Sequence, residues 1–314
     1  MCMKINILKS KFSNQICLFV LFIAFGLNSY SQSVITDSSS INKARLRAVI
    51  ISETAIFAGS LTGLYALWYK NYPMNSFHFF NDNGEWNQMD KISHAGASYY
   101  IGKVGYEALK WSGVKEKKAI WYGGLYGSAF LLTIEILDGF SDEWGFSYGD
   151  LCANTLGSAM FISQQLAWHE QRVVFKFSSH PTDYAQYRPD LFGSNFPQRI
   201  MKDYNGWTYW LSGNISSFLP KSSGFPKWLN IAVGLGADGM TGTFDNAKTY
   251  KGKPLPDFTR SRQFYLSLDI DLTRIPTKSK TLDKLFDVIG FIKIPFPALE
   301  YNTNDGFRGH LLYF

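Results

Sequence analysis

The sequence predicts an α+β protein: an N-terminal bundle of about four apolar helices followed by an antiparallel, β-rich C-terminal half. Three observations carry this reading. Long apolar runs fill the chain between Ala48 and Trp168. From Arg172 they give way to short alternating runs bounded by Pro, Gly and Asn. Charge is scarce: 18% of the 314 residues are charged, against about a quarter in soluble domains, while 46% are hydrophobic and 17% aromatic. Nine Trp point the same way, because Trp and Tyr collect at membrane interfaces.

Residues 1–31 have the three parts of a secretory signal peptide: Lys4, Lys9 and Lys11, the apolar run Ile16 to Leu27, then Ser29-Tyr30-Ser31, with Gln32 as the new N-terminus. The alternative is a retained anchor helix, but the apolar run is shorter than the roughly 20 residues a span needs. Cys17 has no small residue before it, so lipoprotein cleavage is not expected. Removal of the three lysines, with no acid among residues 1–31, lowers the formal charge from +6 to +3. That charge is too weak and too dispersed for nucleic-acid binding. Cys152 then stands alone, which excludes an internal disulfide and a cysteine metal site.

Residues 32–47 read as a flexible leader, Ser-rich over Ser33 to Asn42. Residues 48–171 form the helical domain. Its first helix, Ala48 to Tyr69, is apolar except for Glu53 and ends in Trp68-Tyr69. A loop over Asn71 to Asn87 carries the turn signal Asn81-Asp82-Asn83-Gly84 and leads to a second helix, Gln88 to Trp111. The third, Ala119 to Leu137, contains Gly123, Gly124, Gly127 and Ser128, small residues that let helix backbones approach closely. The fourth runs from Gly149 to Trp168.

Residues 172–314 form the β-rich region. Expected strands are Val173 to Ser178, Trp207 to Phe218, Leu229 to Gly236, Phe264 to Thr273, Val288 to Pro295 and His310 to Phe314. In the fourth, Leu266, Leu268, Ile270 and Leu272 share one face and Ser267, Asp269, Asp271 and Thr273 the other. Two readings stay open: a sheet lying on the helical unit, or part of an outer-membrane β-structure with lipid outside. The terminal Phe314 favours the second, and six strands are fewer than the eight of the smallest single-chain barrels.

Three helices place polar groups in apolar settings. Asp90 and His94, four apart, share a face of the second helix, as Asp150 and Asn154 do in the fourth. Glu135 and Asp138 lie three apart near the end of the third. Capping explains part of this: Asn87-x-x-Asp90 and Ser147-x-x-Asp150 both look like N-caps with an acid at N3. Glu135 has no such account, because Leu131 to Leu137 buries an acid that must be paired, protonated or coordinated. If the second and fourth helices pack side by side and Glu135 reaches in from the third, the polar groups converge.

The run Trp144-Gly145-Phe146-Ser147-Tyr148-Gly149-Asp150-Leu151 with Ala153-Asn154 and Leu156-Gly157, together with Asp90-Lys91, His94, Glu135 and Asp138-Gly139, resembles a known group. It is similar to the YfiM-like domain-of-unknown-function family, described as predicted periplasmic lipoproteins, in its longer Bacteroidetes form. The resemblance spans roughly Asn87 to Trp168. More distantly, the same motifs look like those of VanZ-like membrane proteins, which are linked to glycopeptide resistance. The resemblance implies an exported protein, in the periplasm or outer membrane of a Gram-negative envelope, and no particular reaction. The chain departs from the lipoprotein description in lacking a lipobox cysteine.

Two functions compete. One is an envelope structural or accessory protein whose polar residues fix helix register. No nucleophile motif, phosphate loop or zinc signature argues otherwise. The other is a metal-assisted or acid/base enzyme acting on an envelope lipid or glycan intermediate. Its candidate catalytic residues are Glu135, His94 and Asp150. Its candidate ligands for a hard divalent cation are Asp90, His94, Glu135, Asp138, Asp150 and Asn154. The expected partner is membrane lipid or another envelope component.

Overall fold

A computed structural model of the chain describes residues 40–67 and 69–314. The expected signal peptide, and the expected leader as far as residue 39, lie outside the described residues. The described chain separates into two units, one of residues 40–83 and 91–171, the other of residues 84–90 and 172–314.

The first unit is a bundle of α1 (Lys43–Leu67), α2 (Met89–Trp111), α3 (Glu116–Gly139) and α4 (Tyr148–Trp168). Helix α1 begins before the expected Ala48 because Asn42 caps it. The Asn42 side chain accepts from Arg45 N at 3.0 Å and its carbonyl from Leu46 N at 2.9 Å. Gly113, at φ +84°, turns the chain out of α2, a backbone conformation that a side chain would strain.

Glycines set the helix spacing, as the small-residue pattern of the third helix predicts. A Cβ on Gly127 would lie 2.2 Å from the Ser98 carbonyl oxygen of α2, and one on Gly123 would lie 2.2 Å from Tyr106 N. From α4, a Cβ on Gly157 would lie 2.0 Å from the Ala95 carbonyl oxygen. Helix α2 thus meets α3 and α4 backbone to backbone. An apolar core of Leu64, Tyr69, Ile101, Phe130, Leu131 and Ile134 joins α1 to α2 and α3. Among the described helices, α1 over Lys43–Ala66 and α3 are long and apolar enough to cross a membrane, a criterion that core helices of soluble proteins also meet.

The second unit is a six-stranded antiparallel meander of β1 (Val173–Ser179), β2 (Trp207–Asn214), β3 (Leu229–Asp238), β4 (Ser261–Ile270), β5 (Phe296–Asn302) and β6 (Gly306–Tyr313), in chain order. Side chains of local polar residues end two strands earlier than their apolar content predicts. Asn214 accepts from Ser217 N at 3.0 Å and turns the chain out of β2. Asp271 accepts from Thr273 N at 3.1 Å and does the same after β4.

One expected strand is corrected. Residues 288–295 are not a strand: Lys280–Ile289 is a helix, α5, and β5 follows it. Leu282, Leu285, Phe286 and Ile289 recur at helical spacing, and the Ser279 hydroxyl caps the helix by accepting from Leu282 N at 3.3 Å. The apolar residues Val288 and Ile289 belong to that helical stripe, whose period is 3.6 rather than 2.

The sheet is curled. The outer edge of β1 pairs with residues 291–293, Phe177 N donating to the Phe291 carbonyl and Lys293 N to the Phe177 carbonyl, both at 2.9 Å. Across the interior, the hydroxyls of Tyr313 on β6 and Thr208 on β2 are hydrogen-bonded at 3.0 Å. Residues 84–90 are tied to this unit. Trp86 stacks on Tyr204 with ring centroids 4.9 Å apart, and Trp86 N donates to the Thr243 carbonyl at 2.9 Å.

Candidate functional site

The first unit holds a buried polar cluster where α2, α3 and α4 meet. His94 projects from α2 and is buried, with Nδ1 3.1 Å from Asn154 Oδ1 of α4. An amide oxygen only accepts, so Nδ1 carries the hydrogen and Nε2 faces Asp150 Oδ1 at 3.7 Å. Glu135, fully buried on α3, places Oε1 4.0 Å from His94 Nδ1, and its Oε2 accepts from Ser147 N at 3.3 Å. The Ser147 hydroxyl caps α4 by accepting from Asp150 N at 3.0 Å and itself donates to Asp82 Oδ1 at 2.5 Å.

Lys91 binds the acids together. Its ammonium lies 2.8 Å from Asp82 Oδ1 and 2.8 Å from Asp150 Oδ1, with only 12% of its side chain exposed. Below the charges, hydroxyls continue the network. Ser98 and Ser128 both donate to the Asn154 carbonyl, at 2.6 and 2.8 Å, and Ser158 lies 3.0 and 2.7 Å from their oxygens. These hydroxyls sit on the helices that Gly127 and Gly157 bring into backbone contact, so close packing and hydrogen bonding reinforce one another.

The structure therefore brings His94, Glu135, Asp150 and Asn154 together. Asp138, one turn beyond Glu135, accepts from the Tyr69 hydroxyl at 2.6 Å instead. Asp90 accepts from the Tyr204 hydroxyl at 3.4 Å and, one turn before His94 on α2, also keeps a carboxylate oxygen within 4.8 Å of the His94 ring. Ser147 caps α4 as its motif predicts. Asn87 does not cap α2: it sits at φ +50°, and its amide donates to the Ser261 carbonyl at 3.1 Å.

Sequence reasoning missed Asp82 and the role of Lys91. Asp82 stands in a run of turn residues whose bland reading is complete without it. Lys91 carried the one available hint, a cation next to Asp90 and three residues before His94 in the cluster's own helix.

Replacement of Glu135 by Ala is expected to destabilise the bundle by about 1–3 kcal/mol or more, because it strips an acceptor from Ser147 N and the carboxylate that lies 4.0 Å from His94 Nδ1. Glu53→Ala, on α1, serves as the comparison and should cost less. Urea unfolding followed by circular dichroism measures both.

In class, the chain is an α+β protein with a charged, hydrogen-bonded cluster inside a helical bundle. A family described as "Predicted periplasmic lipoprotein (DUF2279)" matches residues 78–164, which hold most of that cluster and well under half of the chain. No curated protein and no solved structure matches. The family description agrees with an exported, periplasmic protein of the cell envelope whose activity is unknown.

Proposed function

We propose that this chain is a structural or accessory protein of the bacterial cell envelope, whose buried cluster fixes the register of three helices. The observation that carries this reading is Lys91. Its ammonium already pairs with both Asp82 and Asp150, the two acids nearest the capped start of α4. A divalent cation bound at Asp150 would have to displace that ammonium or bear its repulsion. The likeness of the motifs to YfiM-like and VanZ-like proteins supports an envelope setting at the membrane.

A second reading, acid/base or metal-assisted catalysis on an envelope lipid or glycan intermediate, draws on the two acids around His94, Asp150 at 3.7 Å and Glu135 at 4.0 Å. Imidazole and carboxylates are suitable donors for a hard cation, with a free carboxylate left as base. In the enzyme, Glu135→Gln and His94→Ala would abolish activity while the bundle stays folded. In the structural protein they loosen the bundle and change no bound metal.

The test is fractionation of cells into cytoplasm, periplasm and the two membranes, with metal analysis of the purified wild-type and Glu135→Gln proteins. Recovery in the envelope with no stoichiometric metal in either form is the expected result. Cytoplasmic recovery, or a metal lost in Glu135→Gln, would overturn the reading.

A further inference from the structure

We infer that one face of the C-terminal sheet is a lipid-contacting surface, set against acyl chains of an envelope membrane; this rests on the envelope reading above and deepens it. The sheet has inverted polarity. In a water-soluble antiparallel sheet the apolar face packs on the core and the polar face is solvated. Here Leu211, Val233, Leu266 and Leu299 lie side by side across β2 to β5 and are 40–54% exposed. Ile231 and Leu268 extend this patch and are exposed as well.

The opposite face holds the charges. Lys176 and Asp269 are paired at 2.7 Å with their side chains at 0% exposure, and the Ser212 hydroxyl donates to the same Asp269 oxygen at 2.6 Å. On that face too, His310 Nε2 lies 2.6 Å from Glu300. Water would favour the reverse arrangement, because each half-exposed Leu forfeits part of its hydrophobic stabilisation and each buried charge needs a partner. Hydrocarbon reverses that preference: lipid-facing apolar residues alternate with polar interior ones in membrane β-structures.

Two further features choose lipid over a second protein surface. The apolar rows from Ile231–Leu268 up to Phe264 carry no Asp, Glu, Lys or Arg, and the charge on this face, Arg262 opposite Ala237, lies beyond them, as polar groups lie beyond the apolar band of membrane β-structures. One end of the patch is a row of aromatics, Phe264, Tyr301 and Phe307, in register across β4, β5 and β6 and 43–75% exposed. Aromatic girdles of this kind mark the boundary between hydrocarbon and headgroups. Strands β3 and β4 are ten residues each, the length that crosses a bilayer at a tilt, about 9–11 residues.

The experiment uses the full chain with its native cysteines replaced by serine and a nitroxide label at Val233→Cys, Leu266→Cys or, in the exposed hairpin, Lys253→Cys. That hairpin pairs Thr249–Tyr250 with Lys253–Pro254, outside the six-stranded sheet. Each form is reconstituted into vesicles of phosphatidylethanolamine and phosphatidylglycerol. Oxygen, which concentrates in hydrocarbon, and a water-soluble nickel chelate then report the surroundings of each label. Labels at 233 and 266 are expected to show several-fold higher oxygen accessibility than the label at 253, with nickel accessibility largely lost. Three outcomes overturn the inference: nickel accessibility equal to that at 253, shielding from both reagents with spin–spin broadening that marks a second copy, or failure to associate with the vesicles. Cytoplasmic recovery in fractionation would instead strike the envelope reading, and does so without reference to the labels.

Discussion

Lys91→Met is expected to destabilise the bundle by about 3–5 kcal/mol, enough to consume a large part of the stability of an ordinary domain. The variant keeps most of the side-chain volume and removes only the ammonium that lies 2.8 Å from both Asp82 and Asp150. Both carboxylates are buried, at 5% and 0% side-chain exposure. A second change tests the cause. Lys91→Met combined with Asp150→Asn removes one unpaired charge and should recover part of the loss, so the two effects are not additive. If Lys91→Met unfolds at the wild-type urea concentration, the ammonium is not what holds these acids inside the protein.

Gly157→Ala is the second large effect, of about 1–3 kcal/mol or more, arising from overpacking. The added methyl would lie 2.0 Å from the Ala95 carbonyl oxygen and 2.8 Å from its carbon, so α4 must move away from α2. That displacement would also pull Ser158 from Ser98 and Asn154 from His94. Gly59→Ala and Gly63→Ala on α1 are the matched comparison. Neither new methyl meets anything within 4 Å, and alanine favours the helix by roughly 0.8–1 kcal/mol over glycine. Thermal unfolding of the three variants should therefore move in opposite directions, and equal shifts would show that helix contact at Gly157 is not limiting.

Much of the fold was legible along the chain because helices and strands advertise themselves by local periodicity. The cap at Ser147, the small residues of α3 and the alternation along β4 were each readable within ten residues. The failures came where a local signal had two readings. Val288 and Ile289 looked like a strand because the residues after them are apolar too, yet they close the helical stripe that Leu282 opens. Asn87 looked like a cap, but its amide bonds the carbonyl of Ser261, a residue distant in sequence.

The sequence by itself determined that an acid at Glu135 needed company and that polar groups spaced four apart on two helices were candidates to supply it. Only the tertiary structure decided that Ser147 N and His94 meet Glu135, that His94 in turn meets Asn154 and Asp150, that Asp138 accepts from Tyr69 and Asp90 from Tyr204, and that Lys91 and Asp82 complete the cluster. The sequence likewise determined that β4 has one apolar and one polar face, while the curl of the sheet decided which of them is buried. Periodicity specifies which residues share a face. Which face meets which neighbour depends on how closely helices approach and how far a sheet curls, and those distances are set by contacts between residues remote in sequence.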